Sequence, residues 1–259
     1  MPRLTWPDLT ALGRPALGTW TQIASEECVD MLGAAGFDFT IVDMEHGAFG
    51  IETAERLFRA CDANGLVPFA RIARPEPSLV GQALDAGAAV VVAPGVASAD
   101  HASALVAAAR FAPEGTRGAC PCVRAGAHFV RDWRTYVAVQ RAGTGLIALV
   151  ETREGLEAIE AIAAVPDLLG LMIGPFDLAV SLGLEGDYLA SGVQAAIERM
   201  LAAARSAGLP VFAPVFNPDA AEARRQRDAW AARGARHFVL GTDKILISDT
   251  FARYASALR

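Results

Sequence analysis

One stretch decides the fold of this chain: Phe39-Thr40-Ile41-Val42-Asp43-Met44-Glu45-His46-Gly47. Its apolar first half, residues 39–42, predicts a buried β-strand, and the strand ends in a group of ionisable side chains. A charged group at the rim of a core costs free energy unless it is paired or bound to a metal. The group therefore indicates either an internally satisfied ion-pair network or the floor of an active site.

Length and composition favour a single globular domain. The chain has 259 residues, of which 53% are hydrophobic and 20% charged. This size suits one α/β domain covering residues 1–259, with a core that needs no disulfide or metal to hold it. The formal net charge is −6 and the chain contains no basic run. Nucleic acids and anionic membranes need clustered Lys and Arg, so we expect neither as a partner.

Cysteine usage and the N-terminal segment indicate a cytoplasmic protein. The four cysteines, Cys28, Cys61, Cys120 and Cys122, are unevenly spaced, and we expect them to be reduced thiols. The first eight residues contain no apolar signal core. No apolar run approaches the roughly 18 residues of a membrane-spanning helix.

The rest of the chain repeats one pattern, a short apolar strand followed by a helical segment. The predicted strands are residues 16–23, 39–43, 67–72, 89–93, 145–150, 168–173, 211–215 and 237–240. Parallel strands joined by right-handed helical crossovers are the simplest arrangement of such units. Eight units in this length predict an α/β fold of the (β/α)₈ TIM-barrel type. A doubly wound open sheet is the alternative, although the first strand has no Gly-rich turn for a dinucleotide.

Ionisable residues recur at the ends of the predicted strands. Glu45 and His46 follow the second strand, Arg71 ends the third, Glu151 follows the fifth and Asp177 follows the sixth. The carboxyl ends of barrel strands meet on one face, where TIM-barrel enzymes keep their active sites. We therefore expect these side chains to converge.

The chemistry of this set points to a metal-assisted reaction next to a carbonyl. Two carboxylates, Glu151 and Asp177, suit a hard divalent ion such as Mg²⁺ or Mn²⁺, with water and substrate oxygens as its other ligands. The turn after Gly174 offers the backbone N–H groups of Phe176 and Asp177 to a substrate carboxylate, whereas Pro175 has none to give. A 2-oxo acid matches this arrangement.

Two further side chains complete the expected reaction. Arg71 would stabilise the oxyanion that forms when a proton or carbon leaves the carbon next to the carbonyl. His46 would act as the base. The expected reaction class is enolate formation, in an aldol cleavage, an aldol addition or a decarboxylation.

The motifs resemble those of the metal-dependent class II pyruvate aldolases of the HpcH/HpaI family, which cleave 4-hydroxy-2-oxo acids to pyruvate and an aldehyde. The resemblance runs nearly end to end. It is carried by residues 36–38 (Gly-Phe-Asp), 43–47 (Asp-Met-Glu-His-Gly), Arg71, 82–87 (Gln-Ala-Leu-Asp-Ala-Gly), 113–118 (Pro-Glu-Gly-Thr-Arg-Gly), 151–155 (Glu-Thr-Arg-Glu-Gly) and 174–178 (Gly-Pro-Phe-Asp-Leu).

The resemblance implies a role for each matching residue. Glu151 and Asp177 would ligate a divalent ion, Mg²⁺, Mn²⁺ or Co²⁺. His46 would be the catalytic acid/base, and Asp85 would pair with it and orient it.

The same resemblance implies supporting residues and an assembly. Asp43 and Glu45 would shape the site, and Arg71 would hold the carbonyl or enolate oxygen. The family is typically a homohexamer of dimers that exchange their last helix, so a neighbouring subunit could complete the pocket.

Two positions depart from the family pattern. Similar proteins usually carry Gln two residues before the metal-binding Glu, where it touches the substrate, and this chain has Leu149. They often have Ala or Ser where this chain has Phe176. Both changes predict a narrower or more apolar pocket, and therefore an altered acceptor aldehyde or a donor other than pyruvate.

Two alternatives to a metal-dependent aldolase stay open at this point. One is a non-catalytic or regulatory barrel in which the metal site is structural. The other is a class I aldolase that uses Lys244, after the last strand, to form a Schiff base; this would require apolar surroundings that lower the pKa of the lysine. Arg117, in the long loop, is either a substrate clamp or an anchor of that loop.

Overall fold

The computed structural model of the protein describes residues 4–259. Within them the strands β1 to β8 run parallel and close into a barrel, with β8 hydrogen-bonded to β1. In chain order the strands are Ala16–Thr21, Phe39–Asp43, Val67–Arg71, Val90–Ala93, Gly145–Val150, Leu168–Ile173, Val211–Val215 and His237–Thr242. The closed barrel confirms the predicted (β/α)₈ fold and is incompatible with an open doubly wound sheet.

Helices surround the barrel. In chain order, α1 to α12 are Trp6–Thr10, Glu26–Ala34, Ile51–Asn64, Pro77–Ala86, Ala99–Ala108, Trp133–Gly143, Arg153–Glu157, Ile159–Ala163, Pro175–Ser181, Ser191–Ala207, Ala220–Ala232 and Asp243–Ala257. Gly65 and Gly87 end α3 and α4 in the left-handed conformation, with φ of 71° and 115°, which glycine adopts without steric cost. None of the helices within the described residues is long and apolar enough to cross a bilayer.

Several element boundaries differ from the predicted ones. The short helix α1 was not predicted, and the segment after β5 forms two short helices, α7 and α8, that meet at Ala158. The first strand ends at Thr21 rather than at Ile23. The reason is that the backbone N–H groups of Gln22 and Ile23 donate to the side chain of Asp243 instead of to a neighbouring strand. Residues 1–3, which the predicted domain and N-terminal segment include, lie outside the described part of the chain.

Aromatic side chains fill the barrel interior. Phe39, Phe69 and Phe212 are fully buried, and their ring centroids lie 4.8 to 5.7 Å apart. Burial of each such side chain contributes about 1.5–3 kcal/mol to folding. Gly18 on β1 faces this cluster, and a Cβ atom there would overlap the ring of Phe39. The interior is therefore a packed core.

The N-terminal end of the barrel is covered by α1. Trp6 packs against Phe212 and His237, with ring centroids 6.1 and 6.2 Å away. His237 is buried, and its Nδ1 has no hydrogen-bond partner among residues 4–259. Burial, assisted by the charge of Arg236, lowers the pKa of His237 to about 4. His237 is thus a neutral core residue at physiological pH.

The long loop between α5 and α6 is tied to the helices beside it. Arg117 is buried and donates to Asp85 on α4 at 2.6 Å and to Gln140 on α6 at 3.1 Å. Arg124 forms a short ion pair with Asp62 on α3. Arg117 is therefore an anchor of the loop.

Candidate active site

A cavity of about 370 Å³ opens where the strands end. Its wall includes most of the residues that the sequence placed in the site, namely His46, Arg71, Leu149, Glu151, Gly174, Pro175, Phe176 and Asp177. Much of the remaining wall is apolar and comes from Met172, Phe212, Pro214, Phe216 and Val239. The convergence expected from the strand-end pattern is therefore present at one end of the barrel.

Asp43, the last residue of β2, accepts most of the hydrogen bonds on the polar side of the cavity. Its fully buried carboxylate accepts hydrogen bonds from Arg71 Nε (2.8 Å) and Nη2 (2.6 Å), from Gln22 Nε2 (2.7 Å), and from the backbone N–H groups of Glu45 (3.1 Å) and His46 (3.2 Å). Burial tends to raise the pKa of Asp43, but the hydrogen bonds and charge of Arg71, with the Gln22 amide, hold that pKa below its usual value. Asp43 is therefore ionised and fixes both Arg71 and the turn that carries His46.

Arg71, at the end of β3, is held on three sides. Asp43 accepts from two of its nitrogens, Nη1 lies 3.1 Å from Glu45 Oε2, and the guanidinium stacks over the Trp20 ring at 4.3 Å. A guanidinium has five N–H bonds. The hydrogen bonds to Asp43 engage two of them, and Nη1 meets Glu45 as an ion pair without a hydrogen bond, so three N–H bonds remain for a ligand in the cavity. Arg71 is thus a rigid cationic donor.

Glu151 directly follows β5. One oxygen of its carboxylate accepts a hydrogen bond, and the other has no donor within residues 4–259. Oε1 accepts from Gly95 N at 2.8 Å, and no residue within 4–259 donates to Oε2. Oε2 faces Gly174, where a Cβ atom would sit only 2.6 Å away. Burial, and then the negative charges of Asp177 and Glu45, raise the pKa of Glu151 to about 7. A cation at Oε2 would relieve this crowding of negative charge.

The segment after β6 supplies the second carboxylate. Gly174 precedes α9, and the first hydrogen bond of this helix runs from Leu178 N to Gly174 O at 3.0 Å. The N–H groups of Phe176 and Asp177 come before that bond, so the helix itself leaves them unpaired. Asp177 is exposed, and the Phe176 side chain is 54% exposed at the mouth of the cavity.

These residues fit a divalent ion held by few protein ligands. Within the described part of the chain no group of three or more His, Cys, Asp or Glu side chains is placed to hold a metal. The predicted set is smaller, Glu151 and Asp177 alone. Two carboxylates suffice for Mg²⁺ or Mn²⁺, which retain water molecules and substrate oxygens as their other ligands. The free Oε2 of Glu151 is suitable for such a bond.

Asp85 does not lie beside His46 in the same chain, so their predicted pairing stays a prediction that would need Asp85 of a neighbouring subunit. Asp85 lies near the C-terminal end of α4, which leads to the start of β4 and therefore to the end of the barrel opposite the cavity. Its carboxylate is paired with Arg117 at 2.6 Å. The His46 side chain is exposed and borders the cavity. In a single chain its position is set by its backbone contact with Asp43.

Lys244 is unsuited to Schiff-base chemistry. It is exposed in the first turn of α12 and does not border the cavity. A lysine nucleophile needs apolar surroundings that lower its pKa. The class I alternative therefore has no support in this geometry.

The sequence analysis missed two residues of the cavity wall that contact the Asp43–Arg71 pair. Trp20 stacks on Arg71, and Gln22 binds Asp43. Both belong to β1 or its end, two positions apart, and side chains at that spacing share one face of a strand. The alternation along β1 was thus a usable signal.

Comparisons with known proteins agree on one family. The profile of the HpcH/HpaI aldolase/citrate lyase family matches residues 16–248. A hydroxypyruvate/pyruvate aldolase of Roseovarius nubinhibens is 34% identical over 249 residues, which cover 96% of this chain and 94% of that protein. A hydroxypyruvate/pyruvate aldolase of Paraburkholderia phytofirmans is 36% identical, covering 88% of this chain and 87% of that protein. The crystal structure of a family member from Burkholderia cenocepacia superposes with a TM-score of 0.88 at 33% identity and covers 98% of each chain.

Proposed function

Because this chain belongs to the HpcH/HpaI aldolase/citrate lyase family, we propose that it is a divalent-metal-dependent aldolase that reversibly cleaves 4-hydroxy-2-oxo acids to a 2-oxo acid and an aldehyde. The family, and the two related aldolases at 34% and 36% identity, identify this chain as a carbon–carbon lyase. The metal and the substrates are our proposal. A non-catalytic barrel does not agree with these relatives.

One observation carries the proposal. Asp43 fixes Arg71 through two hydrogen bonds and leaves the other N–H bonds of the guanidinium for a ligand, in the same cavity as the free oxygen of Glu151. A rigid cationic donor beside a ligand for a metal ion is what stabilises charge that develops on a ketone oxygen. The arrangement therefore supports a reaction that passes through an enolate.

The carboxylates of Glu151 and Asp177 would hold the ion. Mg²⁺, Mn²⁺ or Co²⁺ bound there would act as a Lewis acid on the ketone and carboxylate oxygens of the substrate. The backbone N–H groups of Phe176 and Asp177 would bind the other side of that carboxylate.

Arg71 and His46 account for the proton transfers and for the cleavage of the carbon–carbon bond. Arg71 binds the ketone oxygen, and an imidazole nitrogen of His46 takes the proton of the hydroxyl on C4. The C3–C4 bond then breaks, its electron pair moves between C2 and C3, and the negative charge on the C2 oxygen is stabilised by Arg71. The aldehyde leaves, and the proton returns to C3 to give the 2-oxo acid.

The relatives and the cavity wall suggest the substrates. The proteins of Roseovarius nubinhibens and Paraburkholderia phytofirmans are named for hydroxypyruvate and pyruvate, and we propose these two as donors. Leu149, Phe176 and Phe216 present apolar surface to the cavity. We propose that the acceptor aldehyde carries an apolar part that contacts this surface.

The last helix supports an oligomer. Phe251, Tyr254 and Leu258, on and just after α12, are 70%, 68% and 84% exposed. Apolar surface of this kind is commonly buried against another subunit. We propose that α12 is exchanged between subunits of a homohexamer. The four cysteines are free thiols, which supports a cytoplasmic location.

A retro-aldol assay tests the proposal. Release of pyruvate or hydroxypyruvate from 4-hydroxy-2-oxo acids is followed with and without EDTA, and Mg²⁺, Mn²⁺ or Co²⁺ is then added back. We expect activity to be lost on chelation and restored by the metal. Activity that EDTA does not change would contradict the assignment of Glu151 and Asp177.

A further inference from the structure

Gln22 borders the cavity but has no part in the steps described above. It follows β1 directly, and Trp20, two residues earlier, stacks on Arg71. A polar side chain at this depth, beside apolar neighbours such as Val239, needs hydrogen-bond partners. The contacts of Gln22 show which of its polar atoms have such partners.

Both ends of Gln22 are fixed. Its backbone N–H and that of Ile23 donate to Asp243 Oδ2, each at 2.9 Å. Its side-chain Nε2 donates to Asp43 Oδ2 at 2.7 Å. The carboxamide therefore has little freedom to rotate or to withdraw from the cavity.

The orientation of this carboxamide follows from the chemistry of its partner. Asp43 is an ionised carboxylate that already accepts from Arg71, and a carboxylate can only accept hydrogen bonds. The amide nitrogen of Gln22 must therefore face Asp43, which turns Oε1 away from it. No residue within 4–259 donates to Gln22 Oε1, and this oxygen is not sealed from solvent. Oε1 is an acceptor without a protein partner at the cavity wall.

The position of Oε1 relative to Arg71 selects the part of a substrate that it can reach. Gln22 Nε2 and Arg71 Nη2 share the same oxygen, Asp43 Oδ2, at 2.7 and 2.6 Å, so the carboxamide and the guanidinium are direct neighbours. With the substrate carboxylate on the Phe176 and Asp177 N–H groups and the ketone oxygen on Arg71, the carbon on the other side of the ketone, C3, would lie beside Gln22. A hydroxyl group on that carbon would be close to Oε1.

Other acceptors of the cavity wall already have a donor or a role. Thr242 Oγ1 accepts from Ile245 N at 3.1 Å, and the carboxylates of Glu151 and Asp177 are assigned to the metal ion. Leu149 is apolar and offers no acceptor. Gln22 Oε1 is a neutral acceptor to which no residue within 4–259 donates.

We propose that Gln22 is the residue that selects the donor, and that its Oε1 accepts a hydrogen bond from the hydroxyl of a 3-hydroxy-2-oxo acid such as hydroxypyruvate. This inference rests on the proposed aldolase function and deepens it. Pyruvate, which lacks the hydroxyl, leaves Oε1 without this bond, so the enzyme favours hydroxypyruvate over pyruvate.

The test compares the two donors in one protein. Aldol addition of hydroxypyruvate and of pyruvate to the same aldehyde, at a fixed Mg²⁺ concentration, gives the ratio of their kcat/KM values for the wild type and for Gln22→Leu. Any effect of Gln22 on Asp43 and Arg71 acts on both donors and cancels in this ratio. We expect the ratio to fall about tenfold in Gln22→Leu, the size of effect given by one hydrogen bond.

Two further variants keep the test decisive. Gln22→Met keeps an unbranched chain of similar length, and it replaces Gln22→Leu if that protein does not fold. Gln82→Leu makes the same chemical change at an exposed position on α4 and should leave the ratio unchanged.

The inference and the proposed function fail in different ways. Equal losses with both donors, or an unchanged ratio, would overturn the selecting role of Gln22 and leave the aldolase intact. A wild type that shows no preference for hydroxypyruvate would overturn it as well. Absence of any carbon–carbon bond formation by the wild type, with either donor and with metal present, would refute the aldolase function itself.

Discussion

Asp43 and Arg71 are joined by two hydrogen bonds, from Nε to Oδ1 at 2.8 Å and from Nη2 to Oδ2 at 2.6 Å. Both side chains are almost completely buried. This paired, in-plane geometry is specific to a guanidinium, because a lysine ammonium offers a single point of contact. The pair therefore fixes the direction in which the remaining N–H bonds of Arg71 point.

The first prediction concerns this geometry. Arg71→Lys keeps the charge but loses the paired contact with Asp43 and the aligned donors, so kcat should fall about 100-fold. Steady-state kinetics measure the loss, and circular dichroism confirms that the variant is folded. Arg74→Lys is the control, since Arg74 is exposed and pairs with the exposed Glu76. An Arg71→Lys enzyme with more than a tenth of wild-type kcat would show that the alignment is unimportant.

Gly174 provides the second prediction. A Cβ atom at this position would lie 2.6 Å from Oε2 and 2.7 Å from Cβ of Glu151, so Gly174→Ala should displace the carboxylate and reduce activity at least tenfold. A higher metal concentration should restore part of the lost activity. Gly118→Ala is a matched control, because a Cβ there meets nothing within 4 Å. Equal activity of the two variants would mean that the position of the Glu151 carboxylate does not matter.

The third prediction is a pH dependence of stability that arises from His237. Burial lowers the pKa of His237 to about 4 in the folded state, from the usual 6.5. Between these values the unfolded chain binds the extra proton, so stability is present above pH 6.5 and is lost as the pH falls toward 4. The loss between pH 7.5 and pH 5 should be about 2 kcal/mol.

Urea unfolding of the wild type and of His237→Phe at both pH values measures this contribution. The phenyl ring keeps the stacking on Phe212, whose centroid lies 4.6 Å from that of His237. The variant should lose about 2 kcal/mol less than the wild type on acidification. Identical losses in the two proteins would show that His237 titrates normally in the folded state.

The fourth prediction concerns assembly. If α12 is exchanged between subunits, replacing Phe251 and Tyr254 by Ser removes apolar contact area and should lower the oligomeric mass measured by light scattering. Arg225→Ser, at an exposed position on α11, is the control. An unchanged mass in the double variant would argue against an interface formed by this helix.

The barrel could be predicted because its signals are local. Each strand is a short apolar run, and the residues that end the strands, such as Arg71 and Glu151, lie on the same side of the barrel whatever the details of packing. The charged end of β2 was therefore a reliable guide to the cavity. The closed sheet then brings residues from distant parts of the chain together without further information.

The surroundings of Asp85 and Gln22 depend on contacts that sequence spacing does not encode. Asp85 was assigned to His46 by resemblance alone, whereas α4 carries it to the opposite end of the barrel and Arg117 binds it there. Gln22 was not predicted as a cavity residue because β1 was expected to continue to Ile23. Only the contact with Asp243, more than 200 residues away in the chain, shows where the strand ends.

The binding of Mn²⁺ tests most directly whether Glu151 and Asp177 hold a divalent ion. Electron paramagnetic resonance distinguishes free from bound Mn²⁺ during a titration of the protein without substrate. The wild type should bind one ion per chain, and Glu151→Gln and Asp177→Asn should each weaken this binding at least tenfold. Glu154→Gln, an exposed glutamate three residues further along, should bind as the wild type does. Wild-type affinity in Glu151→Gln would contradict the account.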